Sequence, residues 1–143
     1  MDDVLEPGPT ARPIDGRPKI LVLDDSALIL SLVCAALEEA GFAALAAVDL
    51  DAVEAHLLRG QPDLVLLDVQ MPGAAGDDVG KVLRGVCQLE APILLLSGLP
   101  ESELARRARD AGLDGYICKD AGLEHLVARV RDFLAGRSPG AIR

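Results

Sequence analysis

Five short apolar runs recur along the chain, each followed by a stretch of helical periodicity. That alternation limits the possible folds more than any other feature of the sequence. The runs are Ile20–Asp24, Ala43–Val48, Leu64–Asp68, Ile93–Ser97 and Gly115–Lys119. Four are of strand length and consist largely of aliphatic residues without polar alternation, which suits strands covered on both faces, as in a parallel sheet. The fifth is shorter and more polar. Between them, Val79, Val82, Leu83 and Val86 fall at i, i+3, i+4 and i+7 and predict one apolar helix stripe. Leu123, Leu126, Val127, Val130, Phe133 and Leu134 predict another. Ser26–Ala40 is apolar nearly all round, as expected of a helix buried on a sheet, with Gly41 as its stop. Asp51–Arg59 and Glu101–Ala111 are weaker patterns; the second is expected to bury Leu104, Ala108 and Ala111 and expose Arg106, Arg107 and Arg109. Five strand–helix pairs in strict order imply right-handed crossovers and a doubly wound, five-stranded α/β sheet.

The 143 residues suit one domain. We place it at 19–136, between a proline-rich N-terminal tail (1–18) expected to be flexible and a short C-terminal tail (137–143). The longest largely apolar stretch, Ala27–Leu37, is too short to span a bilayer and is not N-terminal, so no membrane helix or signal peptide is expected. Cys34, Cys87 and Cys118 are odd in number and sit in apolar runs. They read as reduced, mostly buried thiols in a cytoplasmic protein. With 14 basic against 23 acidic residues and three aromatics in all, the chain lacks the basic, stacking surface of a nucleic-acid binder.

Ligands of such sheets bind at the carboxyl ends of the strands. Strand one ends in Asp24-Asp25-Ser26, strand three in Asp68, strand four in Ser97-Gly98 and strand five in Lys119. Asp49, after strand two, reads only as a helix cap. Clustered carboxylates repel, by roughly 4 kcal/mol for two unit charges about 4 Å apart at an effective dielectric near 20. A metal ion or a proton must compensate. All-oxygen donors suit a hard cation such as Mg²⁺, which prefers to share a phosphate. A lysine and a hydroxyl opposite can bind phosphoryl oxygens.

The Asp24-Asp25 pair, Asp68 43 residues after Asp25, Ser97 a further 29 and Lys119 a further 22 resemble the active site of a response-regulator receiver domain. The similarity covers about residues 19–136. It implies a flavodoxin-like sheet of strand order 2-1-3-4-5, phosphorylation of Asp68 by a sensor histidine kinase or histidine phosphotransfer protein, and a Mg²⁺ cofactor. The resemblance further implies direct metal ligation by Asp25, Asp68 and the carbonyl of Gln70, with Asp24 acting through water. Ser97 and Lys119 would bind the phosphoryl oxygens. Ser97 and Tyr116 would form the switch, biasing a surface of helix 4, strand 5 and helix 5 toward a protein target. We expect a stand-alone receiver with self-catalysed phosphoryl transfer rather than an enzyme, and neither nucleic acid nor membrane as partner.

Each residue also has a plainer role open to it. Asp24-Asp25-Ser26 can cap the next helix, Asp68 can cap a turn before Pro72-Gly73, and Ser97 before Gly98 is ordinary turn chemistry. Tyr116 can be a half-buried strand residue and Lys119 a solvent-facing one. His56 and His125 have no ligand spacing between them. Three points set this chain against the family pattern, the third involving two residues. Asp120 stands where proline usually follows the lysine through a cis peptide, so the loop is expected to be trans and rearranged, or strained, and Asp120 can draw Lys119 off the phosphoryl group. Ala75 replaces a common Asp. Gln70 and Leu99 occupy positions that tune hydrolysis. The rival readings are a degenerate receiver that binds partners without phosphorylation and a small Mg²⁺-dependent phosphotransfer or phosphatase enzyme. The second is disfavoured because the chain has neither a GxxxxGK[ST] loop nor a GxGxxG after strand one.

Overall fold

The structure, a computed structural model, describes residues 16–71, 74–85 and 87–136. Nearly all of both predicted tails, Pro72-Gly73 and Val86 lie outside these residues, and of Ala75 and Gly76 only the backbone is described. Five strands, β1 (Lys19–Leu23), β2 (Ala43–Ala47), β3 (Leu64–Asp68), β4 (Ile93–Ser97) and β5 (Gly115–Cys118), alternate with helices α1 (Ala27–Glu39), α2 (Leu50–Arg59), α3 (Gly76–Gly85), α4 (Glu101–Asp110) and α5 (Leu123–Gly136). The sheet is parallel throughout, in the order β2-β1-β3-β4-β5. This is the doubly wound topology, and the 2-1-3-4-5 order, that the sequence led us to expect. Gln70–Met71 and Ala74–Ala75 add a small antiparallel ribbon between β3 and α3.

Alternate residues of each central strand feed different cores. Leu21, Leu23, Val65, Leu67, Ile93 and Leu95 pack with Val53, Val79, Leu83, Leu104 and Ala108 of α2, α3 and α4. Ile20, Val22, Leu64, Leu66, Leu94 and Leu96 pack with Leu30, Val33, Leu37, Leu126 and Val130 of α1 and α5. This double coverage explains why these strands carry unbroken aliphatic runs: either face of the pleat would otherwise meet water, at about 1.5–3 kcal/mol per large side chain.

Five local expectations need correction. β2 is an edge strand, and most of its residues are half-buried or exposed rather than covered on both faces. α1 buries only one stripe and leaves Leu28 and Leu32 exposed, because a single sheet face can cover only one side of a helix. Val82 and Leu123 fit their stripes by spacing but are exposed. Cys87 is exposed, with Cys34 and Cys118 half-buried, so the free thiols are not a buried set. In α4, Leu104 and Ala108 are buried as expected, Ala111 is half-buried, and Arg107 is half-buried through an ion pair to Glu103.

At the amino-terminal edge of the sheet, one arginine ties two connections together. Arg84 Nη1 donates to the carbonyls of Leu89 (2.6 Å) and Ala91 (3.0 Å), and its Nη2 pairs with Asp114 Oδ2 at 2.6 Å. That same carboxylate oxygen accepts from the N–H of Ile93, the first residue of β4. Close packing between β5 and α5 depends on a missing side chain: a Cβ at Gly115 would lie 2.7 Å from Phe133 Cζ and 3.4 Å from Leu94 Cδ2. Gly115→Ala therefore forces Phe133 aside, and we predict a loss of about 1–3 kcal/mol, read as a lower urea midpoint at unchanged m-value.

Candidate functional site

The carboxyl ends of β1, β3, β4 and β5 form one polar rim. Asp24 (1% exposed) and Asp68 (4%) are buried there, Ser97 is fully buried, and Asp25 is exposed. Burial of two carboxylates is tolerable because each is hydrogen-bonded. Asp24 Oδ1 accepts the Ser26 N–H at 2.9 Å, and Asp68 Oδ1 accepts the Gln70 N–H at 3.2 Å. Lys119 reaches both: its Nζ is 3.0 Å from Asp24 Oδ2 and 3.5 Å from Asp68 Oδ1. Ser26 meanwhile caps α1 through the Ile29 N–H, and Asp49 caps α2 through the Ala52 N–H.

Each of Asp24, Asp25 and Asp68 offers one oxygen within 4.8 Å of the others. One ammonium against three carboxylates leaves the cluster net negative. Burial, above all, raises the Asp68 carboxyl above its ordinary range, and the charge of Asp24 adds to this; the Gln70 N–H and Lys119 oppose it. The donor set is all oxygen, partly solvent-accessible and short of positive charge, and so fits a hard divalent cation.

Ser97 Oγ accepts the Leu99 N–H at 3.1 Å and makes a long 3.4 Å contact to Gln70 Oε1, so it is turned toward its own loop. Tyr116 pairs with Leu95 in the sheet, and its hydroxyl donates to Glu101 Oε2 at 2.8 Å. That bond, and then partial burial, raises the phenol above its usual range. Neither the Glu101 partnership nor the contact of the Gln70 side chain had any signal in the spacing. Leu99 is half-buried against the core. His56 Nε2 meets the Ala46 carbonyl, and His125 is exposed.

Residues Lys119–Ala121 form one 3₁₀ turn ended by Gly122 at φ +94°, and no described peptide is cis. The loop is therefore trans. Asp120 lies exposed beside Gly98 and does not draw Lys119 from the acidic cluster, contrary to the expectation from its sequence position.

An acidic cluster facing a lysine and a buried hydroxyl at the carboxyl edge of a 2-1-3-4-5 sheet defines a class: a receiver-type α/β domain. Comparison with known proteins agrees. The family model for the response regulator receiver domain matches residues 20–131, and the chain belongs to that family. It is 36% identical over 125 residues to the phosphate regulon transcriptional regulatory protein PhoB of Klebsiella pneumoniae, covering 87% of this chain and 55% of that protein. It is 35% identical over 115 residues to the DNA-binding response regulator MtrA of Mycobacterium leprae, with 80% and 50% covered. The chain thus spans about half the length of the curated relatives it matches. Among solved structures, the chemotaxis protein CheY4 of Vibrio cholerae superposes with a TM-score of 0.74 at 27% identity, over 82% of this chain and 98% of that one.

The raised Asp68 carboxyl sets a sign for stability. An acid whose folded pKa exceeds its unfolded value near 3.9 makes the metal-free fold lose stability as pH rises from that value through the folded pKa. Asp68→Asn removes this loss. In EDTA at pH 7 the variant should melt above the parent, and the difference should close as pH falls below the unfolded carboxyl value. Thermal melts across pH check this, and a lower Tm for the variant at pH 7 would contradict it.

Proposed function

We propose that this receiver is a phosphorylation-controlled switch whose acceptor is Asp68. The observation that carries the reading is Lys119 bridging Asp24 and Asp68 beside the exposed Asp25. In the reaction, an Asp68 oxygen attacks the phosphorus of a phosphohistidine on a sensor kinase or histidine phosphotransfer protein. The P–O bond forms as the P–N bond breaks, and the imidazole leaves with a proton from solvent. Lys119 holds an equatorial phosphoryl oxygen, and Ser97 turns from its loop to hydrogen-bond another. Asp25, Asp68 and the Gln70 carbonyl would hold Mg²⁺, with Asp24 behind them; the ion supplies charge neutralisation for the incoming phosphoryl group. The protein thereby promotes its own modification without turning over an external substrate.

The acyl phosphate carries up to two negative charges into a site that already carries an excess of them. Drawing Ser97 and Tyr116 toward it alters the α4–β5–α5 surface, where a protein target reads the state. A net charge of −9 and three aromatic residues favour a protein contact over nucleic acid for this chain's own surface. DNA binding belongs to the relatives whose names include it. We read the chain as acting in the cytoplasm, by such contacts or by onward transfer of phosphate. Asp120 in place of proline favours a second reading, a receiver that engages partners without phosphorylation.

Intact-mass spectrometry after incubation with a small phosphodonor and Mg²⁺ separates the two. One added phosphoryl group, lost in Asp68→Asn and without Mg²⁺, is expected; no adduct with either the phosphodonor or a beryllofluoride mimic would leave the second reading. Leu99 should exclude the hydrolytic water, so the adduct should persist, and Leu99→Asn should shorten its lifetime several-fold.

A further inference from the structure

The backbone of Tyr116 is fixed. It pairs with Leu95 in the sheet, and its carbonyl accepts Arg129 Nη2 at 3.1 Å. Arg129 is itself seated over Phe133, 5.1 Å from the ring centroid. The side chain is held differently. Among the described residues, the hydrogen-bond partner of its hydroxyl is the exposed Glu101 at the start of α4. A groove of about 610 Å³, lined by Glu101, Tyr116, Cys118, Asp120, His125 and Arg129, lies beside the ring. A neutral donor bonded to an ionised carboxylate makes a stronger contact than a neutral pair, and this one spans two elements 15 residues apart.

We propose that Glu101 is a positioning residue of the switch: by accepting the Tyr116 hydroxyl it holds the ring outward and sets how tightly a phosphoryl group at Asp68 must be bound to release it. The inference rests on the acceptor reading of Asp68 given above. Energy spent in breaking the tyrosine–glutamate bond is subtracted from the apparent affinity for the phosphoryl group, so loosening the tether should tighten binding. Glu101 also has an alternative, merely structural role. It is an acidic residue at the amino end of α4, where Pro100 occupies the cap position without a side-chain cap bond, and negative charge there favours the helix.

The protein supplies its own reporter, with one tyrosine and no tryptophan. Tyrosine emission is quenched when the hydroxyl is bonded to a carboxylate. In Glu101→Ala without ligand, emission should rise and the phenol should titrate at lower pH than in the parent. Half-saturation by Mg²⁺ and beryllofluoride, followed by the ¹⁹F resonance of the bound mimic, should fall by about three- to tenfold. Glu101→Asp keeps the helix-end charge but shortens the reach, and should behave like Glu101→Ala; if it behaves like the parent, the helix-end role replaces the tether. Tyr116→Phe should make Glu101→Ala silent in mimic binding, whereas additive effects would overturn the proposal. Unchanged emission in Glu101→Ala, or changed emission with unchanged half-saturation, would also overturn it. If the parent shows no bound-mimic resonance, the acceptor reading fails and the coupling with it; the emission and titration then still report whether the bond exists.

Discussion

One ammonium group makes the carboxyl edge of this sheet possible. Asp24 and Asp68 are almost completely buried, and two buried carboxylates without a counter-charge would cost more than a domain of this size has to spare. Lys119 approaches both, at 3.0 and 3.5 Å, from the far end of a chain segment 95 and 51 residues away. The lysine is delivered there by β5, which pairs with β4, which pairs with β3. The order of the strands is thus also the order in which charge is balanced. Compensation is incomplete, however, since Asp25 adds a third negative group, and this deficit suits the site to a cation.

The sheet's two ends are built on opposite principles. At the carboxyl edge, polar groups have few partners and spare capacity: Ser97 has one good hydrogen bond and one long contact, and Asp25 lies open. At the amino edge, Arg84 and Asp114 close a set of hydrogen bonds among Leu89, Ala91 and Ile93. The aliphatic layers between them, packed on both faces, have no room for gradual deformation. Change at the carboxyl edge therefore falls on side chains and loops rather than on the strands.

The fold was largely legible because its signals are strong and repeated. Unbroken Ile, Leu and Val runs separated by helical stripes have few other solutions, and glycines at 41 and 112, both at positive φ, mark the ends of α1 and α4 as expected. What failed was the prediction of which apolar residues are covered. Spacing places Val82 and Leu123 on a helix stripe but does not say how wide a strip the sheet covers, and it does not reveal that β2 is an edge. The candidate site was legible as residues at strand ends, because polar side chains there interrupt aliphatic runs. Its finer contacts were not. Glu101 has no pattern linking it to Tyr116, and the effect of Asp120 depended on where a loop turns, which the 3₁₀ turn at Lys119–Ala121 decides.

The two ends of α4 are held unequally. Its carboxyl end runs into Leu113, whose methyl groups fill the space left by Gly80 on α3, and whose N–H returns to Ala108. One residue further on, Asp114 is clamped by Arg84. Its amino end begins at Pro100 without a side-chain cap and touches β5 through Glu101. In the switch proposed above, a rod pinned at one end and tethered lightly at the other would act as a lever. A displacement beside Ser97 would travel furthest at the first turn of α4 and least at its last, so a docking protein would gain most discrimination by gripping the helix near Glu101.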